Sequence, residues 1–190
     1  MKPWFGSMML LLVSSLIGCS GDATGPEETV TSIVAAGREL LEPEVVISEV
    51  FFGQDGYVAV TNHGEGDAVL DRWEVCQSAS CFSIPNMTLD SGDTVVFAAD
   101  ESGGIEGNIV DMRLGAGEVV AAAGEIALYS GTDPKQLVSY VMWGRDDQPR
   151  SAAAVEAGLW SGGPVATVDL TDGIVKSTAV PLSADDWTST

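Results

Sequence analysis

The chain has 190 residues, with 28 acidic and only 8 basic side chains, giving a formal net charge of −20. A surface of this charge repels the phosphates of nucleic acids, so we expect no nucleic-acid partner. The length suits one domain with flanking segments.

Residues 1–18 have the pattern of a secretory signal peptide. Lys2 supplies a positive start, and an apolar run extends from Met8 to Ile17 with only Ser14 and Ser15 in it. The run is too short to cross a bilayer, which takes about 20 apolar residues. It has the length of a signal peptide's apolar region, so these residues are predicted to direct export.

The segment Leu16-Ile17-Gly18-Cys19 resembles the lipobox of bacterial lipoproteins. In that family the cysteine sulfur receives a diacylglyceryl group, and the chain is cut before the cysteine. The resemblance implies lipidation of Cys19 and a membrane partner reached through that lipid, because several acyl chains on one residue make release negligible. Ser20 follows where an aspartate would favour the inner membrane, so we expect the outer membrane or the cell surface. The alternative is an ordinary signal peptide with a chance cysteine.

Three further segments follow the signal peptide. Residues 19–44 are predicted to form a lipidated tether, polar up to Pro26, in which Thr29–Leu41 could form a short helix. Residues 45–144 are predicted to form a β-domain. Residues 145–190 are predicted to form an extension that packs on it, with a helical turn over Ser151–Gly158 and short strands over Ala166–Leu170 and Ile174–Lys176.

Residues 45–144 combine β-branched and aromatic runs with turns at roughly 8–12-residue spacing, which is typical of an all-β sandwich. Predicted strands are Val45–Phe52, Tyr57–Thr61, Ala68–Leu70, Arg72–Cys76, Cys81–Ile84, Thr94–Ala98, Glu125–Tyr129 and Gln136–Trp143. Residues 100–124 form either a long loop or a weak strand. Period-two alternation predicts an inward face made of Ile47, Val58, Val60, Trp73, Val75, Val95, Phe97, Ile126, Leu128, Val138 and Tyr140.

The successive segments Val46–Val50, Tyr57–Asn62 and Ala68–Val75 resemble the lamin-tail domain, which also occurs in bacterial secreted proteins. Thr88–Phe97 and the pair Gly124–Tyr129 and Val138–Gly144 resemble its later strands. Arg72 stands where that family commonly has glycine before the tryptophan. The resemblance implies an immunoglobulin-like β-sandwich that acts as an interaction module and has no catalytic residues.

Cys76 and Cys81 are the cysteines left once Cys19 is lipidated. In an oxidising exterior they are expected to form a disulfide across a hairpin. A zinc site would need two more ligands, and His63 is the sole histidine. A thioredoxin-type redox pair would have two intervening residues instead of four.

Two single residues allow both a structural and a functional interpretation. Trp73 is expected to pack between the sheets on a central strand, although an exposed indole could stack on a ligand. His63 could be a general base, but it lies in the turn Asn62-His63-Gly64 without a nucleophile motif nearby, which favours a structural role.

Acid pairs offer hard oxygen ligands for calcium, although none has the spacing of an EF-hand, and solvated turns are the simpler interpretation. The pairs are Asp90 with Asp93, Asp100-Glu101, Asp146-Asp147 and Asp185-Asp186.

These observations predict a non-catalytic interaction or structural module at the cell envelope, with a protein or an envelope polymer as partner and no cofactor. No catalytic or metal-ligand constellation is recognised, so an enzyme is not expected. The alternative is a calcium-binding adhesin or an accessory domain of an envelope enzyme.

Overall fold

The computed structural model describes residues 44–53, 55–98, 105–106, 108–111, 119, 122–166 and 172–190. The predicted signal peptide, Cys19, the predicted tether up to residue 43, Asp100-Glu101 and most of the predicted strand Ala166–Leu170 lie outside the described residues.

The described chain consists mainly of short strands, with one α-helix and one turn of 3-10 helix, η1 (Ala184–Asp186). In chain order the elements are β1 (Val45–Phe51), β2 (Tyr57–Asn62), β3 (Ala68–Val69), β4 (Glu74–Gln77), β5 (Ser80–Ser83), β6 (Thr88–Leu89), β7 (Thr94–Ala98), β8 (Ile105–Glu106), β9 (Ile109–Asp111), β10 (Gly124–Tyr129), β11 (Leu137–Trp143), α1 (Ser151–Glu156), β12 (Gly173–Lys176) and β13 (Trp187–Ser189). The predicted all-β sandwich is confirmed.

Two sheets form the sandwich. The larger has seven strands in the order β13-β12-β1-β2-β7-β9-β8, and the smaller has four in the order β11-β10-β4-β5. Neighbouring strands run antiparallel, except that β7 and β9 are parallel. A separate two-stranded ribbon joins β3 to β6. The C-terminal residues therefore extend the larger sheet, because β12 pairs directly with β1.

The core lies between the two sheets. The larger sheet contributes fully buried β-branched and aromatic residues, among them Val58, Val60 and Phe97, and the smaller contributes Ile126 and Leu128. Such residues suit strands because branched side chains pack well on a pleated surface. A bulge in β1 places Ser48 outside the regular pairing with β2. Next to the bulge, the amide of Ile47 donates to Ser139 Oγ at 3.0 Å, which ties the two sheets together.

Asn62 organises the turn that follows β2. Its side chain is fully buried, and its Oδ1 accepts hydrogen bonds from the amides of Glu44 and Gly64, each at 3.1 Å. Its Nδ2 donates to the carbonyl oxygens of Gly66 at 2.7 Å and Leu89 at 3.1 Å. A buried amide with all these partners incurs little desolvation penalty and fixes the path of the chain from β2 towards the β3–β6 ribbon.

The predicted inward face is correct for the larger sheet but wrong for part of β11. Ser139 contacts β1, and Trp143 packs on Phe52 with ring centroids 5.1 Å apart, so these residues face the larger sheet. Successive side chains of a strand point to opposite faces, which places Val138 and Tyr140 on the outer face of the smaller sheet. Tyr140 is nevertheless buried, while Val138 is partly buried.

Trp73 does not have the central position expected of it. The residue precedes β4 instead of lying within a strand, and its side chain is half-buried against the core. Trp143 has no solvent exposure and occupies the sheet interface. Its indole lies against Gly124 of the adjacent strand, where an added Cβ would come within 2.6 Å of the ring. The glycine therefore makes room for the tryptophan.

Candidate functional site

The outer face of the smaller sheet carries the most unusual chemistry in the described residues. The antiparallel register places Glu125 opposite Met142 and Ala127 opposite Tyr140, so all four side chains lie on this face. Helix α1 and Trp160 cover part of it: Ala154 is buried, and Trp160 meets Tyr140 edge-on with ring centroids 5.8 Å apart. Both faces of β10 and β11 are consequently buried in this region.

Glu125 is a fully buried carboxylate on this face. Its Oε2 accepts a hydrogen bond from the Tyr140 hydroxyl at 2.9 Å and another from the Arg150 amide at 2.9 Å. Its Oε1 forms a salt bridge with Arg150 Nη1 at 2.7 Å. Burial, followed by the neighbouring carboxylate, raises the pKa of Tyr140, which keeps this hydroxyl a hydrogen-bond donor.

Arg150 links the buried carboxylate to the disulfide hairpin. The guanidinium also donates to the carbonyl oxygen of Ser78 and lies 3.2 Å from Cys81 Sγ. Because Arg150 immediately precedes α1, these contacts fix the start of the helix on the sheet. The cluster of Glu125, Tyr140 and Arg150 is therefore a polar anchor for the C-terminal region, with both carboxylate oxygens occupied.

The disulfide closes the tight turn between β4 and β5. Cys76 and Cys81 are direct register partners in the antiparallel hairpin, and their sulfur atoms are bonded at 2.03 Å. This agrees with the pairing expected from the sequence. Cys76 is buried and Cys81 is exposed, so the bridge joins the outer face of the sheet to the surface.

Glu125 and Arg150 were not predicted as functional or structural partners from the sequence. Glu125 lies in an otherwise apolar strand, and an acid inside such a run is a signal that a buried partner is needed. The chain has only 8 basic residues against 28 acidic ones, and Arg150 is one of them. Each basic residue is therefore a candidate partner for a buried carboxylate. The two lie 25 positions apart, and no local pattern joins them.

A groove of about 440 Å³ opens beside α1 on the same outer face. Its floor includes Met142, which is the register partner of Glu125. One side of the helix forms a wall, since positions four residues apart lie on the same helix face. The groove is lined by Met142, Asp146, Ser151, Ala152, Val155, Glu156 and Gly162.

His63 is not assembled into an acid–base pair. Its largely exposed ring contacts the ammonium of Lys176. Partial burial, followed by the charge of Lys176, lowers the pKa of His63. Lys176 also donates to the carbonyl oxygens of Thr178 at 3.2 Å and Ala179 at 2.9 Å. The contact joins the turn after β2 to the end of β12 and brings no nucleophile to the ring.

Two of the acid pairs proposed as calcium ligands have a carboxylate engaged within the protein. Asp147 forms a two-point ion pair with Arg145. Asp186 Oδ2 accepts hydrogen bonds from the amides of Leu182 and Ser183 and from the Ser183 hydroxyl, and so caps η1. The pKa of each carboxyl is lowered, mainly by the Arg145 hydrogen bond for Asp147 and by the Leu182 amide for Asp186.

Within the described part of the chain, one group of three potential metal ligands comes together, namely Glu74, Cys76 and Cys81. The sulfur atoms are bonded to each other and cannot act as thiolates, and Glu74 forms an ion pair with Lys135. The donor set therefore does not suit zinc.

No helix of the described residues combines the length and the apolar character needed to cross a bilayer. No protein-family model matches the chain, and no curated protein matches it.

Proposed function

We propose that the chain is an exported lipoprotein, held to a membrane by lipid on Cys19, whose β-sandwich acts by contact and not by catalysis. The anchor rests on the lipobox-like segment Leu16–Cys19 and the short apolar run before it. The mode of action rests on the chemistry of the described domain.

The buried carboxylate of Glu125 is the main support for a non-catalytic function. Glu125, the fully buried carboxylate of the described residues, has both oxygens occupied by donors of Tyr140 and Arg150. A general acid or base must present its carboxyl group to a substrate, whereas this one stabilises the attachment of α1. Cys76 and Cys81 are bonded to each other, and His63 faces an ammonium group.

The backbone at Arg72 supports the lamin-tail resemblance. Arg72 has a φ of 60°, in the left-handed region that favours glycine. Glycine is the residue that the lamin-tail family commonly has at this point, before its tryptophan. The turn geometry of this chain therefore fits the family's preference even though the side chain differs.

A binding experiment with the full-length chain in detergent tests this function. We expect chemical cross-linking in a solubilised envelope extract to join the chain to a defined protein or polymer, and excess unlabelled chain to compete with the product. An unrelated acidic lipoprotein is the control. Turnover of a polysaccharide, ester or phosphodiester that is lost on a single Asp→Asn or Glu→Gln substitution would contradict the proposal.

The calcium alternative receives no comparable support from the described residues. Asp147 and Asp186 are engaged within the protein, and Asp90 and Asp93 do not belong to a group of three potential metal ligands among the described residues. We therefore put forward no second function.

A further inference from the structure

We propose that the groove beside α1 binds a peptide segment of a partner protein through a Lys or Arg side chain set among small apolar residues. This inference rests on the proposed function and specifies the chemistry of the partner.

The apolar part of the groove suits the stem of a long basic side chain. Met142 lies on the floor with only 3% of its surface exposed, whereas Val155 on the helix wall is 55% exposed. Ala152 adds a small apolar surface beside Val155. An exposed valine at the mouth of a groove gains by being covered, and the methylene stem of Lys or Arg can cover it while the charged end stays in water.

The charged part of the groove suits the end of that side chain. Asp146 precedes the helix and Glu156 ends it, and both contribute to the groove lining. Neither carboxylate is in a salt bridge with another described residue, in contrast to the adjacent Asp147, which is paired with Arg145. Two carboxylates beside an apolar floor are complementary to a cation with an apolar stem.

Charge and apolar contact together distinguish the possible occupants of the groove. A second copy of this chain carries the same net charge of −20, so self-association through an acidic surface is opposed. An anionic lipid or a nucleic acid is repelled for the same reason. A polyamine would satisfy the two carboxylates but would gain less from Val155 and Met142 than an amphipathic peptide segment, which makes the peptide the best match.

The Met142 methyl group offers a direct readout in the full-length chain. The chain is labelled with ¹³C-methyl methionine in uncharged detergent, and Met142→Leu identifies the resonance. The probe is a short peptide in which Lys alternates with Ala around one Leu, and the comparison peptide has Glu in place of Lys. Spermine tests the polyamine. We expect the Lys peptide to shift the Met142 resonance. The resonance of Met87, which lies between β5 and β6 and does not line the groove, is expected to stay unchanged.

Substitutions then test the two halves of the groove. D146N/E156Q is expected to raise the Kd of the Lys peptide about 3- to 10-fold at low salt, since exposed ion pairs have small individual effects. V155S is expected to raise the Kd about 2- to 5-fold through lost apolar contact. The matched control is E65Q/D67N, which removes the same charge from the exposed turn after β2 and leaves the Kd within about 2-fold.

Several results would overturn the groove assignment: an unmoved Met142 resonance, equal binding of the Glu peptide, spermine binding as tight as the Lys peptide, or a concentration-dependent Met142 shift without any peptide. An equal loss of affinity in the E65Q/D67N control would also overturn it. If the chain still cross-links to an envelope partner in those cases, the proposed function stands and only the groove is wrong. If the chain shows substrate turnover instead, the proposed function itself fails.

Discussion

The amide of Ile47 in β1 donates a hydrogen bond to Ser139 Oγ in β11, at 3.0 Å, across the interface between the two sheets. The bulge at Ser48 lies next to this amide, so the bond forms where the regular pairing with β2 is interrupted. The sheets are thereby fixed to each other by a polar contact inside an otherwise apolar interface.

Removal of the Ser139 hydroxyl leaves the Ile47 amide buried without its partner. We expect Ser139→Ala to lower the free energy of unfolding by about 1–3 kcal/mol, the cost of an unsatisfied buried donor. Ser80→Ala is the control, because Ser80 is exposed on the edge strand β5 and its substitution is expected to stay within about 0.5 kcal/mol. Urea unfolding measures both. Equal stability of the two variants would show that the inter-sheet bond is unimportant.

The Glu125–Arg150 pair is expected to behave as a coupled unit. Arg150→Met leaves the Glu125 carboxylate buried without its cation, and the free energy of unfolding is expected to fall by about 3–5 kcal/mol. Because the two residues contact each other, the double variant Glu125→Gln/Arg150→Met should lose less unfolding free energy than the two single variants lose together. The expected difference is about 1 kcal/mol or more. Arg145→Met breaks the exposed pair with Asp147 and should have little effect. Strict additivity in a double-mutant cycle would contradict the coupling.

Arg72 offers an opportunity to stabilise the protein. Its φ of 60° is unfavourable for a residue with a Cβ and natural for glycine. We expect Arg72→Gly to raise the free energy of unfolding by about 0.5–1 kcal/mol, with part of the relieved strain offset by the greater freedom of glycine in the unfolded chain. Arg72→Ala keeps the strained conformation and should show no such gain. Equal effects of the two substitutions would mean that backbone strain is not the cause.

The sequence predicted the strands well because each carries its own local pattern. β1, β2, β7, β10 and β11 all begin and end close to the predicted residues. Their β-branched runs end at turn residues, a signal that does not depend on the rest of the fold. β12 was also predicted, whereas β13, at the end of the chain, carries only Trp187-Thr188-Ser189 and was missed.

The faces of β11 could not be predicted in the same way. Residues from Ser139 to Trp143 are all buried, because the larger sheet covers one face and α1 with Trp160 covers the other. A strand buried on both faces loses the alternation that identifies its inward side. Tyr140 was therefore assigned to the wrong face. Trp160 and Arg150 cover this outer face of the smaller sheet. Both lie in residues 145–190, which were predicted only to pack on the sandwich.

His63 gives the protein a specific response to acid. Burial and the Lys176 ammonium lower the pKa of His63 below its value in the unfolded chain. The folded state consequently binds fewer protons than the unfolded state as the pH falls through about 6.5, so acidification in this range destabilises the fold. His63→Gln removes this contribution.

The melting temperature of wild type and His63→Gln between about pH 7.5 and 5.5 measures the effect, since the unperturbed pKa of histidine lies within this range. Wild type should lose more than the variant over this interval. Carboxylates titrate in both proteins and cancel in the difference. Parallel curves would show that the fold does not lower the pKa of His63.

Intact-mass analysis of the mature protein, isolated from the membrane fraction, tests whether lipid on Cys19 anchors the chain. We expect an N-terminus at Cys19 that carries the mass of a diacylglyceryl group, and Cys19→Ala should abolish both the modification and the membrane recovery of processed protein. A mature chain that begins elsewhere, or that begins at Cys19 without acyl mass, would contradict the assignment of this protein as a lipid-anchored module of the cell envelope.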